Sequence, residues 1–273
     1  MRVAVLSLFM IPFTLGCNGG GNNARTDRVD TPPDKGEAVT KADCPSAYVG
    51  FPGLEVSPAL IWKEGESPGG FEGELTVALF QRLNCPLKLA SSDSTVNPIE
   101  QRFAALERGE ADFSLYQISI TEDRRRRVAF SSPTTIDGAA LLVSSETPWR
   151  RLADVPVGTL IVNPGTSGAQ WAETELPGAW IIRDSSTVAD LWQCLSGGEC
   201  TAFVNDKTAL LSIAEQVPGL RVLEDGPYTR EEWAIAIRPD HPDLVERINL
   251  ALDSMEQDGS LPALREKWGF PSP

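Results

Sequence analysis

The groups in this sequence best suited to chemistry are one arginine, a run of small hydroxyl residues and one aspartate, each placed where a strand or turn gives way to a helix. Thr121-Glu122-Asp123-Arg124 follows an apolar stretch and opens a short helix, with Thr121 as N-cap and two acids at the positive end of the helix dipole. A guanidinium at Arg124 can grip a carboxylate through a fork of two hydrogen bonds, which a lysine would do less specifically. A surface ion pair with a nearby acid is the alternative. Arg125, Arg126 and Arg127 read as a solvated helix face. Gly165-Thr166-Ser167-Gly168 also precedes a helix, so its amides and hydroxyls form an anion cradle, although a plain N-cap turn has the same composition. Asp206 closes TAFVND at a strand end, where it could equally cap the helix starting at Lys207.

Such groups need a scaffold, and the hydrophobic pattern supplies an α/β one. A first apolar run is Leu54 to Val56. Phe71, Leu75, Leu79 and Leu83 recur at helical spacing, and PLKLA follows as a strand. A helix from Pro98 carries Ile99, Phe103 and Leu106 and stops at Gly109 before the strand ADFSLY. This rhythm implies parallel strands with right-handed crossovers. A second unit repeats it: strands at Val155 to Val162, Ala179 to Ile182, TAFVN and LRVLE, with helices at Gly165 to Glu175, Ser185 to Leu195 and Lys207 to Val217. After the alternating run WAIAIRP, His241-Pro242 starts a helix with Leu244, Ile248, Ala251 and Met255 on one face, His241 acting as its cap. A short final helix holds Leu261, Leu264 and Trp268.

The ends and the composition set the compartment. Met1 to Cys17 has a basic start at Arg2 and an apolar run too short to span a bilayer, the pattern of a signal peptide. Cys17 after Thr14-Leu15-Gly16 resembles a bacterial lipobox, in which the thiol is lipidated, while a conventional cleavage nearby would leave Cys17 incidental. Asn18 to Asp43 lacks large apolar residues, cannot fold alone and serves as a tether. The remaining Cys44, Cys85, Cys194 and Cys200 are an even set in an exported chain, for which disulfides are expected. Three connectivities are possible, and proximity suggests Cys194 with Cys200 and hence Cys44 with Cys85. With 24 Lys and Arg against 38 Asp and Glu, a formal charge of −14 disfavours nucleic acid and anionic membrane surfaces as partners. A single His and no Cys-x-x-Cys leave little for a metal or haem, and neither a Gly-x-Ser-x-Gly nor a Walker motif is present. No cofactor is expected.

Four segments in order resemble the extracytoplasmic solute-binding proteins of polar amino-acid ABC importers, family 3: GFEGELTVALFQRL from Gly70, the block from Arg102 to Pro133, NPGTSGAQW, and ECTAFVND, with the tail SMEQDGSLPALREKWGF similar to the family's close. The resemblance covers about Leu54 to Phe270. It implies a two-lobed type II periplasmic-binding (Venus-flytrap) fold, each lobe a mostly parallel sheet flanked by helices. Lobe one would comprise Cys44 to Val143 plus Glu232 to Pro273, and lobe two residues 144 to 231. Both disulfides would lie within single lobes, leaving the trap free to close.

By the same resemblance Arg124 grips the ligand carboxylate, Ser119 faces it through its hydroxyl or amide, and Asp206 accepts from the ligand ammonium; Thr121, Thr166 and Ser167 are counted with them as ligand-binding residues. The family's usual pair of aromatic rings is not kept. Trp62 is the one aromatic near the first position, Ile99 stands at the second, and Tyr116 and Gln117 replace small residues. The carboxylate grip is retained while the side-chain pocket is rebuilt. The expected function is capture of a small carboxylate-bearing solute, an amino acid, by a periplasmic, lipid-anchored monomer that serves an ABC-transporter permease, without catalysis. The alternatives are a cyclohexadienyl dehydratase-like lyase on the same fold, for which only Glu173 or Glu199 could be named as acid, and a receptor feeding a separate signalling partner.

Overall fold

The computed structural model describes residues 48–51, 59–61, 67–89, 99–176, 181–184 and 188–273. The signal and tether segments, Cys17, Cys44, the Leu54 to Val56 run and Trp62 lie outside the described residues. In chain order the elements are β1 (Tyr48–Phe51), α1 (Gly70–Arg82), β2 (Leu87–Leu89), α2 (Ile99–Glu107), β3 (Phe113–Ser114), α3 (Glu122–Arg125), β4 (Ala129–Phe130), β5 (Thr135–Asp137) and β6 (Ala139–Ser144). There follow β7 (Thr159–Val162), α4 (Ser167–Glu175), β8 (Ile181–Asp184), α5 (Val188–Ser196), β9 (Ala202–Asp206), α6 (Lys207–Gln216) and β10 (Leu220–Val222). The chain ends with β11 (Glu231–Trp233), β12 (Ala236–Ile237), α7 (Pro242–Gln257) and α8 (Ser260–Trp268).

Two five-stranded sheets make the two lobes, in the orders β2-β1-β3-β12-β4 and β10-β6-β9-β7-β8. Each is mixed. The strands joined by helical crossovers pair in parallel (β1 with β2 and β3; β7 with β8 and β9). The strands adjoining the lobe crossings, β12 and β6, pair antiparallel with both neighbours because they enter from the opposite direction. Helices bury the apolar faces the sequence marks. Phe71, Leu75 and Leu79 of α1 are fully buried with Leu244, Ile248 and Met255 of α7, and Phe71 stacks on Phe270 at 4.8 Å. Each such side chain contributes roughly 1.5–3 kcal/mol by leaving water. The second lobe has its own core around Leu141, Leu160, Ala202 and Val204 on one face of its sheet and Leu142, Phe203 and Leu210 on the other.

The lobes are linked by β5 and β11, which pair antiparallel as a separate two-stranded ribbon with Glu231 opposite Asp137 and Trp233 opposite Thr135. The backbones are tightest at Gly138, where a Cβ would overlap the carbonyl oxygen of Thr229. The next strand, β6, already belongs to the second sheet. Ala139 to Val143 therefore lie in the second lobe's sheet, although the resemblance places them at the end of lobe one; their continuous apolar run suits a central strand of either lobe. Arg265 of α8, buried beside the crossing, donates from Nε to the Thr134 carbonyl at 2.7 Å and pairs with Glu256 at 2.9 Å, while the Thr135 hydroxyl donates to the Pro271 carbonyl at 2.7 Å. The chain's end is thereby pinned to the link between the lobes.

Cys194 and Cys200 form a disulfide with their Cα atoms 5.1 Å apart, tying the end of α5 to the entry of β9 inside one lobe. Cys85 is disulfide-bonded, and its expected partner, Cys44, lies outside the described residues. His241 occupies the N-cap position of α7 but its side chain makes no cap bond; the Leu244 N–H donates instead to the His241 backbone carbonyl at 3.1 Å. Among the described residues no helix is long and apolar enough to cross a membrane, and no cluster of side chains could hold a metal ion.

Candidate ligand-binding site

Arg124 is placed by a single turn of helix. The Thr121 hydroxyl accepts from the Arg124 backbone N–H at 3.2 Å, so the N-cap expected from sequence is made, and the turn points the guanidinium inward. Arg124 is only 8% exposed. Its Nη1 donates to the Ser119 carbonyl at 2.8 Å and its Nη2 reaches across to the Gly165 carbonyl in the other lobe at 3.2 Å, with the Phe103 ring 5.7 Å away. Carbonyl oxygens orient a guanidinium without neutralising it. Among the described residues Arg124 has no ion-pair partner, so the surface ion pair is not what holds it. Burial lowers its pKa, and the charges of Glu231, Asp206 and Glu100 act in the opposite sense. Its neighbours divide differently: Arg127 pairs with Glu100 and Glu107, each at 2.6 Å, Arg126 pairs with Asp123 at 2.5 Å, and Arg125 is exposed. Arg127 is thus half-buried and doubly paired rather than simply solvated.

The hydroxyls from the two lobes converge on one carboxylate. Ser119, which follows β3, and Ser167, at the start of α4, each donate to the same oxygen of Glu231 at 2.5 Å, and the two hydroxyls lie 3.3 Å apart. Thr229 donates to the other Glu231 oxygen at 2.7 Å. Thr166 is spent locally: its hydroxyl donates to the Asn163 carbonyl at 2.8 Å and accepts from Ala169 N–H at 3.1 Å as the cap of α4. Of the two cradle hydroxyls, Ser167 faces the cleft and Thr166 holds the turn.

Asp206 stands at the start of α6 without capping it. The cap bond to Thr208 N–H, 3.0 Å long, comes instead from Asp137 on the crossing strand. Among the described residues the Asp206 carboxylate has no hydrogen-bond partner, and it is 8% exposed. Burial raises its pKa well above the usual carboxylate range, the charges of Glu231 and Asp137 push it further up, and Arg124 opposes them. A buried, unpaired acid of this kind is costly unless a cation or donor reaches it.

Tyr116 and Gln117 have positive φ values of 125° and 46°, backbone that favours the small residues the family usually carries there. Glu72, buried in the first turn of α1, compensates. It accepts the Tyr116 N–H at 3.0 Å and the Gln117 N–H at 3.0 and 3.1 Å. Burial nevertheless pushes the Glu72 carboxyl up to about 7, against the lowering effect of those amides and of Arg102. Arg102 donates to the Tyr116 carbonyl at 2.7 Å and lies 5.0 Å from the centre of the Tyr116 ring. The Tyr116 ring is buried under Arg102, which makes it part of the lobe's wall, whereas the buried amide nitrogen of Gln117 has no partner among the described residues.

The cleft opens into a cavity of ≈ 330 Å³ lined by Thr121, Arg124, Gly165, Thr166, Ser167 and Gln170, and a second of ≈ 270 Å³ lined by Ser119, Thr121, Ser167, Trp171, Thr229 and Glu231. Ile99 packs its methyl against Gly165 and belongs to the first lobe's core. Of the acids named for a lyase, Glu173 is exposed and lines the larger cavity, and Glu199 is exposed in the turn before β9. Of the residues named from sequence, Arg124, Thr121, Thr166, Ser167 and Ser119 line these two cavities, while Gln117 and Asp206 do not; Glu72, Arg102, Asp137 and Glu231 are not singled out by the sequence. Glu72 carries the signal of an acid at a helix start, which reads as a dipole effect. Glu231, just before an alternating apolar run, carries none.

The family model described as bacterial extracellular solute-binding proteins, family 3, matches residues 55–271. The L-cystine-binding protein TcyJ of Escherichia coli (strain K12) is 26% identical over 201 residues, 73% of each chain. The ABC transporter glutamine-binding protein GlnH of Bacillus subtilis is 23% identical over 270 residues, 97% of this chain and 95% of its own. Among solved structures, the ancestral amino acid-binding protein AncCDT-1, a precursor of cyclohexadienyl dehydratase, is similar with a TM-score of 0.70 and 25% identity, covering 82% of this chain and 95% of that one. An ancestral arginine-binding protein bound to arginine has a TM-score of 0.71 at 24% identity, covering 82% and 98%. On the extent of that match, the chain belongs to the bacterial extracellular solute-binding proteins, family 3.

Proposed function

We propose that the protein captures an amino acid between its two lobes outside the cytoplasm and delivers it to the permease of an ABC importer. One observation carries the choice of ligand class: among the described residues a buried arginine without an ion-pair partner, Arg124, lies close enough to a buried aspartate without a hydrogen-bond partner, Asp206, for their charges to interact. A zwitterion satisfies both at once, its carboxylate on Arg124 and its ammonium on Asp206. A simple dicarboxylate would leave Asp206 opposed by another anion, and an amine alone would leave Arg124 uncompensated. Ser119, Ser167 and the Gln117 amide are the polar groups available to complete the site, with Thr121 and Thr166 holding their turns, Tyr116 forming the wall and Trp62 supplying an aromatic contact.

In this reading the lobes rotate about the ribbon of β5 and β11, with Cys17 as lipid anchor, residues 18–43 as tether and the protein working as a monomer. Useful capture and release need a free energy of only about −8 kcal/mol, a micromolar complex. The test is calorimetric titration of protein stripped of ligand by unfolding and refolding, with a panel of amino acids and organic acids including prephenate-like compounds. A saturable one-to-one complex, lost in Arg124→Ala and yielding its ligand unchanged, supports the proposal. Turnover of a cyclohexadienyl acid would make the protein a lyase, and tight binding that survives Arg124→Ala would reject the site.

A further inference from the structure

The carboxylate that Ser119 and Ser167 hold in this structure belongs to the protein itself. One Glu231 oxygen accepts from Ser119 of the first lobe and from Ser167 of the second, each at 2.5 Å, while Thr229 fixes the other oxygen at 2.7 Å. Glu231 is a residue of the crossing strand β11, so it joins the two lobes from their pivot. A hydroxyl has a single proton to donate. Ser119 and Ser167 therefore cannot donate to Glu231 and to a ligand carboxylate at once. Holding that half-buried carboxylate beside Asp206 and Asp137 has an electrostatic cost, since the Glu231 charge raises the pKa of both. Three hydroxyl donors are the compensation the site provides.

We propose that Glu231 is an internal counter-ligand, a carboxylate built into the crossing strand that occupies the interlobe hydroxyl pair, holds the lobes together through it, and is displaced from it when a ligand carboxylate enters beside Arg124. The proposal rests on the assignment of Arg124, Ser119 and Ser167 as the ligand's carboxylate site. It makes Glu231 a determinant of affinity and of closure rather than a contact that adds to binding. Two costs fall on the ligand: the hydroxyls must be released by Glu231, and the lobes must leave the clasped arrangement to admit it. Apparent affinity falls by the fraction of molecules in the competent state. One net hydrogen bond to a charged group, the least the clasp contributes, corresponds to about a tenfold reduction.

The experiment compares wild type, Glu231→Gln and Glu231→Ala, each refolded free of ligand and checked for native circular dichroism, with Arg124→Ala as a separate arm. Small-angle X-ray scattering without added solute reads the separation of the lobes, and titration with L-glutamine, L-arginine and L-cystine reads affinity. Both Glu231 variants are expected to show a larger radius of gyration than wild type and to bind whichever probe wild type binds about tenfold more tightly. An unchanged radius in both variants overturns the clasp, even where no probe binds. Equal or weaker binding in both overturns the counter-ligand role and would make Glu231 an ordinary ligand contact. The carboxylate-site reading fails separately, if Arg124→Ala binds as wild type does while scattering still shows the Glu231 variants opened.

Discussion

Glu72→Gln gives the sharpest test of how the cleft wall is held. Glu72 is 2% exposed, it accepts from two backbone amides at positive-φ residues, and burial raises its pKa from 4.5 to about 7. A carboxyl with a raised folded-state pKa favours the folded protein while it is protonated. Its contribution is complete below 4.5, declines as pH rises, and is lost once pH passes about 7. The difference between the two values is worth about 3 kcal/mol at 1.36 kcal/mol per pK unit. For a protein of this size that is roughly 6–12 °C in melting temperature. Glutamine imitates the protonated form: its oxygen can still accept from Tyr116 and Gln117, and it carries no charge to desolvate. Thermal unfolding of wild type and Glu72→Gln at pH values from 4.5 to 8 should give melting temperatures that converge at the acid end and separate toward pH 8, with the variant the more stable there. Buried Asp206 and Asp137 also titrate upward, but they are common to both proteins and cancel to first order in the difference. A difference that stays flat across the range would refute the account of Glu72 as a desolvated carboxyl in the wall.

Other perturbations separate binding from scaffold. Asp206→Asn should weaken amino-acid binding in calorimetry by about 10- to 100-fold, the worth of a charged hydrogen bond, while leaving the melting temperature at neutral pH unchanged or raised because an unpaired buried charge is removed. Asp137→Ala removes the cap on Thr208 N–H and should cost about 1 kcal/mol in denaturant unfolding. Gly138→Ala drives a methyl group into the Thr229 carbonyl and should destabilise the protein by roughly 1–3 kcal/mol, with a change in the scattering profile because the clash sits in the ribbon between the lobes. Replacing Cys194 and Cys200 together by serine opens a short loop and should cost about 2 kcal/mol while leaving ligand affinity unchanged, the bridge lying within one lobe.

The parts of the fold legible in the sequence are those with long periodic signals. Phe71, Leu75 and Leu79 mark α1 by spacing, and Leu244, Ile248 and Met255 mark α7, because a helix that buries one face must repeat its apolar residues at that interval. The segment from Ala129 to Ser144 is different. It contains β4 with two residues, β5 with three and β6 with six, and the chain changes lobes between the last two. Strands this short have no usable period, and the event that defines the crossing is a close approach of Gly138 to Thr229, residues far apart in sequence. The antiparallel entry of β6 and β12 into their sheets is hidden for the same reason.

The site follows the same division between local and distant chemistry. Thr121 and Arg124 are bound to one another through a single turn, so their sequence pattern specifies their geometry, and Thr166 caps α4 in the same local way. What those turns present to the cleft depends on partners from elsewhere. Asp206 makes no cap bond, because Asp137, on the crossing strand, has taken over the cap of α6 that the sequence offers to Asp206. Gln117 holds its positive-φ backbone because Glu72, 45 residues earlier, accepts its amide. Two of the buried arginines make the point most directly. Arg102 and Arg124 have the same side chain, and burial depresses both. Arg102 stays within its own lobe, donating to the Tyr116 carbonyl and covering its ring, with Glu72 close enough for their charges to interact. Arg124 spans two lobes, and among the described residues its guanidinium bonds only to carbonyl oxygens, a set of partners that fixes its direction without neutralising its charge.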